Sequence, residues 1–401
     1  MTPTELDALY AFVVAAAVAA VLTPLTMRLA RRVGAIDQPR ARGLSDRDTP
    51  RLGGIAIFAA TAVAGVIWLP HAKPWTGILA AAALITLVGA LDDCFDFPPW
   101  LKLLGQIAAA VVAVVFGGVI VTFVTLPLFG HLTLGGAAQT LTVIGLVAMM
   151  NVVNFSDGVD GLAAGVCAIV SIAFAVIAFS LALGDHAGGV LAAITAGAAL
   201  GFLVHNFPPA SSFMGDAGSN LLGLLMGCIA VEGDLKTSAV VTLALPLILL
   251  AVPFLDTTFV VLKRLKYRRP VYEADQEHFH HRMARIGFSV RRTVLFFYGW
   301  TLMLAGYAVA LRFIHYSDHH GHLHAWGTVL VFALGLIVLV ASIYLIYVLE
   351  IFRGVAISRL PKPRPDAKPP EPPQQRVNIY RRPARAEAAA PDARSEREGA
   401  P

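Results

Sequence analysis

The sequence predicts an all-α polytopic membrane protein. Of its 401 residues, 57% are hydrophobic and only 14% are charged, and the mean hydropathy is +0.70. A soluble domain carries about a quarter charged residues. Apolar runs close to the length that crosses a bilayer recur along most of the chain. The polar residues gather between these runs, which indicates chemistry at a membrane surface.

We expect about eleven transmembrane helices, one for each apolar run. The first run follows Glu5 and Asp7 rather than a basic segment, so we expect it to remain as a span and not to be cleaved as a signal peptide. The predicted spans are 8–27, 52–69, 75–91, 103–120, 139–154, 162–183, 188–204, 220–231, 239–261, 293–313 and 325–349.

The Lys and Arg residues predict the orientation. Loops after odd-numbered spans hold 17 of them, whereas loops after even-numbered spans hold Lys73 and Lys236, with Arg312 at a span end. By the positive-inside rule the N-terminus is periplasmic and the C-terminus is cytoplasmic. The predicted cytosolic loops are 28–51, 92–102, 151–161, 205–219 and 262–292.

Two segments differ from the spans. Residues 121–138, rich in Val, Thr, Leu and Gly, predict a small periplasmic β-hairpin. The transmembrane domain is expected to cover 1–353, and the Pro-, Arg- and Ala-rich residues 354–401 are expected to form a disordered cytoplasmic tail. No basic patch is interleaved with aromatic residues on a folded domain, so nothing indicates nucleic acid as a partner.

Five polar segments fall in the predicted cytosolic loops. Side chains from separate loops on one membrane face can converge on one site, whereas a transporter would place ionisable groups near mid-span. The pattern therefore favours a site that faces the cytosol. The five segments are 37–54, 92–96, 151–162, 213–219 and 275–281.

Asp92, Asp93 and Asp96 are clustered at the end of the third predicted span. Clustered carboxylates repel one another unless a cation joins them, and hard oxygen ligands favour Mg²⁺ or Mn²⁺. A helix end solvated by acidic residues is the alternative.

Asn151, Asn154, Asp157 and Asp160 recur at intervals of three residues. At helical spacing they would share one face at the end of a span. Amides and carboxylates at a membrane boundary are costly to bury unless they meet a cation or a polar substrate. A tight turn between two helices is the alternative, since Asn, Asp and Gly are turn residues.

Two further motifs indicate phosphate binding. Asp216 lies in a Gly-rich turn before a helix expected to begin at about Ser219, and such a helix N-terminus is a general anion site. His278, His280 and His281 lie beside basic residues and indicate a phosphate cradle or a metal site. Phosphate is favoured because the spacing is poor for zinc.

With these motifs in order, the chain resembles the polyprenyl-phosphate N-acetylhexosamine-1-phosphate transferase family (glycosyltransferase family 4). The resemblance extends from about residue 34 to 292. The spaced histidines are similar to the enterobacterial-antigen and teichoic-acid branch, and the lipid I translocase is a more distant relative. The matching segments are Asp92-Asp93 with Asp96, the run from Asn151 to Leu162, the run from Met214 to Ser219, and His278 with His280-His281.

The resemblance implies transfer of a sugar 1-phosphate, most simply GlcNAc-1-phosphate, from a UDP-sugar to undecaprenyl phosphate, with release of UMP, in a bacterial inner membrane. It implies Mg²⁺ as cofactor, with Mn²⁺ as an alternative, and a role in cell-envelope polysaccharide synthesis. The expected partners are the UDP-sugar, the lipid phosphate and the surrounding membrane lipid. The oligomeric state is left open, with a homodimer as one option.

The resemblance also implies roles for individual residues. Asp216 matches a Mg²⁺ ligand, Asp92 or Asp93 matches a residue at the reacting phosphates, and Phe213 matches a residue that stacks on uracil. The candidate catalytic residues are Asp92, Asp93, Asp157, Asp160, His278, His280 and His281. The candidate substrate-binding residues are Asn151, Asn154, Phe213, Asp160 and Arg51, and the candidate metal ligands are Asp216 and Asn151.

The first cytosolic loop departs from the family pattern. Gly43 stands where the family usually has lysine, and Ser45 stands where it usually has histidine. Arg42, Arg47 or Arg51 would then supply the charge with a different geometry. Three alternatives remain open: the same chemistry on another UDP-N-acetylhexosamine for O-antigen or lipid I, a secondary transporter, and an inactive scaffold.

Overall fold

The computed structural model describes residues 4–37, 48–126, 130–180, 186–232, 289–314 and 324–359. This part of the chain is almost entirely helical, which confirms the predicted all-α polytopic class. Its ten α-helices are α1 (Glu5–Val33), α2 (Gly53–Trp68), α3 (Trp75–Phe95), α4 (Pro99–Val111), α5 (Ala138–Ser156), α6 (Leu162–Phe179), α7 (Ala187–Asn206), α8 (Gly215–Glu232), α9 (Val290–Phe313) and α10 (Ala325–Arg359).

Each predicted span within the described residues coincides with one of these helices, although several bounds differ. In the part of the chain that the structure describes, eight helical segments are long and apolar enough to cross a membrane, and α2 is a shorter apolar helix. Helix α8 begins five residues before the predicted 220–231, so the Gly-rich turn is already its first turn. Helix α10 continues to Arg359, past the predicted start of the tail at 354. The predicted span 239–261 and residues 360–401 lie outside the described residues.

Helix α1 shows how local sequence sets the ends of a helix. Thr4 and Asp7 form a capping box at its start, where each side chain bonds the other's backbone N–H. At its end, Gly34 adopts a left-handed conformation with φ of 82°, and its N–H bonds the carbonyl of Ala30. Buried alanines recur every three or four residues along α1 and face α7.

Two small antiparallel sheets accompany the helices. Strands β3 (Phe123–Leu126) and β4 (Gly130–Thr133) form the hairpin predicted within 121–138. Strands β1 (Ile36–Asp37) and β2 (Thr49–Pro50) were not predicted, because two-residue strands carry no period of their own. Strand β2 also contacts the connection between α7 and α8, because the backbone N–H of Phe213 donates to the carbonyl of Pro50.

The connections that carry the predicted motifs share one end of the helix bundle. Helices α3 and α4 are joined there by residues 96–98, α5 and α6 by 157–161, and α7 and α8 by 207–214. The end of α1 reaches the same place through β1 and β2. Four of the five polar segments therefore converge, and the fifth, 275–281, lies outside the described residues. Asp92, Asp93, Asn151 and Asn154 belong to helices, not to the loops predicted around them.

Candidate active site

The centre of the site is a lysine between two aspartates from different helices. Nζ of Lys102, at the start of α4, lies 2.5 Å from Oδ2 of Asp216 and 3.5 Å from Oδ2 of Asp92. The Asp92 side chain is 8% exposed, and those of Lys102 and Asp216 are 22% and 26% exposed. So far out of water, the Lys102 ammonium attracts each carboxylate more strongly than in a surface ion pair, and it offsets the repulsion between the two carboxylates. The open side of the cluster can receive a further anion or cation.

Asn154 joins α5 to this cluster. Its Nδ2 donates to Oδ1 of Asp216 at 2.5 Å and to Oγ of Ser219 at 2.8 Å. Asp216 therefore bonds Lys102 with one carboxyl oxygen and Asn154 with the other. These two bonds fix the orientation of the Asp216 carboxylate plane. The carboxylate of an isolated aspartate at a helix start would be free to rotate.

The neighbouring aspartates Asp92 and Asp93 have different tasks. Asp93 Oδ1 accepts from the backbone N–H of Asp216 at 3.0 Å, and its Oδ2 accepts from that of Ala217 at 3.2 Å. Asp93 thus caps α8, whereas Asp92 accepts from the N–H of Phe97 at 2.7 Å and faces Lys102. The anion expected at this helix N-terminus is supplied by the protein itself.

Close approach of backbones makes this cap geometrically feasible. A Cβ on Gly89, one turn before Asp93 on α3, would lie 2.5 Å from Cα of Ala217. Gly215 has φ of +66°, and a Cβ there would collide with the Asp93 carboxylate. Gly89 and Gly215 therefore leave the room that the Asp93 carboxylate needs to cap α8.

Asp160 holds the connection between α7 and α8. Its Oδ2 accepts from the N–H of Ala210 at 2.9 Å, and buried Asn206 bridges the two connections by accepting from Gly161 N and donating to Ser212 O. Burial raises the pKa of Asp160, and the bond from Ala210 offsets part of that rise. Asp160 therefore shapes the site by holding its loops.

Asp157 ends α5 next to the cluster. Burial raises the pKa of Asp157 well above its ordinary value, and the negative charges of Asp216, Asp93 and Asp160 raise it further. A carboxyl group so placed holds its proton at a higher pH than a solvated aspartate. It can donate a hydrogen bond to a substrate oxygen or release a proton when a cation enters.

Arg51 and Phe213 lie at the rim. Arg51 forms a 3.1 Å ion pair with Asp37 and lies 4.0 Å from Asp96, so its charge is partly neutralised. Phe213 is half-buried, and its carbonyl accepts from the N–H of Gly53 at 3.0 Å. Its stacking role stays a prediction.

Several predicted site residues lie deeper in the bundle or outside the described residues. Asn151 lies one turn inside Asn154 and bonds Gln106 and the carbonyl of Val147. Its predicted contact with metal or nucleotide is not tested by these bonds. Outside the described residues are Arg42, Gly43, Ser45, Arg47, His278, His280 and His281.

Sequence reasoning missed Lys102 as a site residue. It is a single lysine beside Trp100 and Leu101, with no motif around it. Its position six residues after the aspartate cluster, at the first turn of the next helix, was the available signal. Gln106 was missed as well because it is an isolated amide within an apolar run, and Asn220 because it lies one residue past the motif that ends at Ser219.

The cluster suits a hard divalent cation. Asp92 and Asp216 offer two carboxylates on one face, and Mg²⁺ in enzymes typically takes one or two carboxylates and fills its other positions with water and substrate phosphate. Among the described residues no group of three or more His, Cys, Asp or Glu side chains is gathered as a full protein cage. The donor set therefore fits a metal shared with a phosphorylated substrate.

Sequence comparisons show which known proteins the chain is similar to. The sequence profile described as glycosyl transferase family 4 matches residues 75–234. A Bacillus subtilis protein named probable undecaprenyl-phosphate N-acetylglucosaminyl 1-phosphate transferase is 36% identical over 72% of this chain and 80% of its own length. A Mycobacterium tuberculosis protein named decaprenyl-phosphate N-acetylglucosaminephosphotransferase is 35% identical over 72% and 79%. An Escherichia coli K12 protein named undecaprenyl-phosphate alpha-N-acetylglucosaminyl 1-phosphate transferase is 29% identical over 72% and 80%.

Proposed function

The chain belongs to glycosyl transferase family 4, and we propose that it is a membrane phosphotransferase that moves N-acetylglucosamine 1-phosphate from UDP-N-acetylglucosamine to a polyprenyl phosphate. The acceptor phosphate and the transferred group are those in the names of the relatives. The observation that carries the proposal is the convergence of Asp92, Lys102 and Asp216 at one end of the bundle.

The reaction joins two phosphates without a change of oxidation state. An oxygen of the polyprenyl phosphate forms a bond to the β-phosphorus of the donor, and the bond from that phosphorus to the bridging oxygen breaks. UMP leaves with the electron pair of the broken bond. Two anions must approach each other, so neutralising and positioning the phosphates is the main task of the protein.

Lys102 is suited to that task. Its ammonium group contacts both carboxylates of the cluster, and the same group can donate a hydrogen bond to a phosphate oxygen. Gly43 and Ser45 stand where the family usually has lysine and histidine, and Lys102 is a cation outside that loop which can neutralise phosphate charge. The departure in the first loop is therefore compatible with activity.

Mg²⁺ would be held by Asp92 and Asp216. When bound, it supplies additional positive charge at the donor diphosphate. The residues around it perform the orientation: Asn154 fixes the Asp216 carboxylate, Asp93 fixes the start of α8, and Asp160 holds the loop that carries Phe213.

The membrane side of the site follows from the charge distribution. The connections at the site end belong to the set that carries the 17 Lys and Arg residues. By the positive-inside rule this end faces the cytoplasm of a bacterial inner membrane. A UDP-sugar made in the cytoplasm would then reach the site directly, while the prenyl chain of the acceptor stays in the bilayer.

The test uses purified protein, undecaprenyl phosphate and Mg²⁺ with a panel of UDP-sugars, and measures UMP release. Release with UDP-N-acetylglucosamine supports the proposal. Release only with another UDP-N-acetylhexosamine keeps the chemistry and changes the donor, and no release with any donor contradicts the proposal. An Asp216→Ala variant is expected to lose at least about 1,000-fold in kcat, because it removes one carboxylate and releases Lys102. Ser171→Ala, a buried change on α6, is the matched control.

A further inference from the structure

A second polar layer lies one helical turn inside the cluster of Lys102, Asn154 and Asp216. This amide layer consists of Gln106 on α4, Asn151 on α5 and Asn220 on α8. Gln106 and Asn220 are each only 1% exposed. None of the phosphate chemistry described above uses these two amides.

The amide layer forms a continuous chain of hydrogen bonds. Asn151 Nδ2 donates to Gln106 Oε1 at 2.8 Å, and Gln106 Nε2 donates to Asn220 Oδ1 at 2.8 Å. Asn220 Nδ2 then donates to the backbone carbonyl of Asp216 at 2.8 Å. The chain therefore crosses three helices and ends on the backbone of a residue of the site.

The amide layer repeats the arrangement of the site above it. On α4, Gln106 is four residues after Lys102, and on α8, Asn220 is four residues after Asp216. On α5, which runs in the opposite sense, Asn151 is three residues before Asn154. Residues three or four apart share one helix face, so each amide lies beneath the site residue of its own helix.

Burying amide side chains at these positions costs free energy unless their hydrogen bonds serve a purpose that apolar side chains could not. A buried polar group without a partner costs about 1–3 kcal/mol, whereas an apolar side chain of the same size would pack without that risk. Apolar contacts between helices also tolerate small rotations and shifts, because they have no preferred angle. Directional hydrogen bonds remove that freedom, as single buried amides do in coiled coils.

We propose that Gln106 and Asn220 are positioning residues of the transfer reaction. Together with Asn151 they fix the rotation and register of α4, α5 and α8, so that Lys102, Asn154 and Asp216 already meet before substrate binds. The inference rests on the proposed function. A misplacement of about 1 Å at a reacting centre can cost about 100-fold in rate, so a small shift of one helix would be visible in turnover.

The test compares Gln106→Met with Thr142→Val. The first keeps the length of the side chain and removes its hydrogen bonds. The second removes the buried hydroxyl of Thr142, which is 3% exposed and bonds Ala138 O and Val121 N at the end of α5 away from the site. We expect kcat to fall about 100-fold in Gln106→Met with a much smaller change in KM for the UDP-sugar. Thr142→Val is expected to lower the thermal midpoint comparably and to keep its kcat.

An exchange of side-chain lengths adds a rescue experiment. Gln106→Asn shortens one side chain by a methylene, and Asn220→Gln lengthens the other by a methylene. The double variant restores the combined side-chain length between α4 and α8. We expect each single variant to lose kcat and the double variant to recover part of it. If Gln106→Met does not fold, the milder Gln106→Asn takes its place in the comparison.

Two results would overturn the inference. One is an unchanged kcat in folded Gln106→Met or Gln106→Asn, and the other is an equal loss of kcat in Thr142→Val at an equal thermal midpoint. Wild-type protein that releases no UMP would instead contradict the proposed function. The experiments therefore distinguish a failure of this inference from a failure of the proposed function.

Discussion

Helices on the two sides of the bundle contact each other through different groups. Between α1 and α7 the backbones nearly touch: a Cβ on Gly201 would lie 2.8 Å from the carbonyl carbon of Ala16, and one on Gly197 would lie 3.0 Å from that of Phe12. Between α3, α4, α5 and α8 the contacts at the site end are charged and amide side chains. The first side is held by close backbone packing, whereas the second combines such packing, as at Gly89 against Ala217, with directional side-chain bonds. A substitution should therefore change the folded fraction on one side and the reaction rate on the other.

Among the variants that compare the two sides, the largest effect is expected from Lys102→Met, on the site side. It keeps the aliphatic stem and removes the cation between Asp92 and Asp216, so kcat should fall about 1,000-fold. The thermal midpoint should change little, because the two carboxylates can take up protons. UMP release at saturating donor checks the prediction, with Lys73→Met, a lysine before α3 at the other end, as the control. An active Lys102→Met enzyme would show that the cluster is structural.

A comparison of Asp92→Asn with Asp93→Asn separates the two adjacent aspartates. Asp92→Asn should lower kcat about 100-fold with an unchanged thermal midpoint, because it weakens the charge cluster. Asp93→Asn should lower both, because one cap bond to α8 is lost at a cost of about 1 kcal/mol. The measurements are kcat and thermal midpoint on the same preparations. Identical profiles for the two variants would contradict the division of tasks.

Gly201→Ala tests the side held by close backbone packing. The added methyl group has no room against α1, so stability should fall by about 1–3 kcal/mol. Activity per folded molecule should stay at the wild-type value. Gly306→Ala on α9 is the matched control, since a Cβ there meets nothing within 4 Å. Loss of kcat in the folded fraction of Gly201→Ala would mean that the two sides of the bundle are not independent.

The smallest effect is expected from Asp157→Asn, which should change how stability depends on pH. The raised pKa of Asp157 means that its contribution to stability is present below the unfolded-state pKa and is lost as pH rises through the folded-state pKa. Asparagine stays neutral, so the variant should lose less stability than the wild type as pH rises. Thermal midpoints across the acid-to-neutral range check this, with the exposed Asp48→Asn as a control of equal charge change. Parallel wild-type and variant curves would contradict it.

The sequence predicted the membrane class and the positions of the helices well, because long apolar runs in a bilayer must satisfy their backbone hydrogen bonds internally and therefore form helices. It also brought Asp92, Asn154 and Asp216 into one site, since their motifs recur between spans. The family resemblance is confirmed by relatives at 36% and 35% identity.

Three features could not be read from the sequence, and each depends on partners far away in the chain. Asp93 acts on the backbone of α8, more than a hundred residues later. Lys102 and Asp216 meet only after α4 and α8 pack. Gln106 is distinguished from any surface glutamine only by its burial. Sequence periods report the face of one helix, whereas these roles are properties of pairs of helices.

The cap that Asp93 places on α8 has a consequence for the robustness of the site. In many phosphate sites a row of backbone N–H groups binds the ligand, and side-chain changes then leave most of the affinity intact. Here Asp93 already occupies the N–H groups of Asp216 and Ala217. If the proposed function holds, few groups on the described part of the chain are then left to bind the donor diphosphate. Phosphate binding there depends on Lys102, which is a primary amine. A small amine-acylating reagent that reaches Lys102 should therefore abolish activity, and bound substrate should protect the enzyme from that loss.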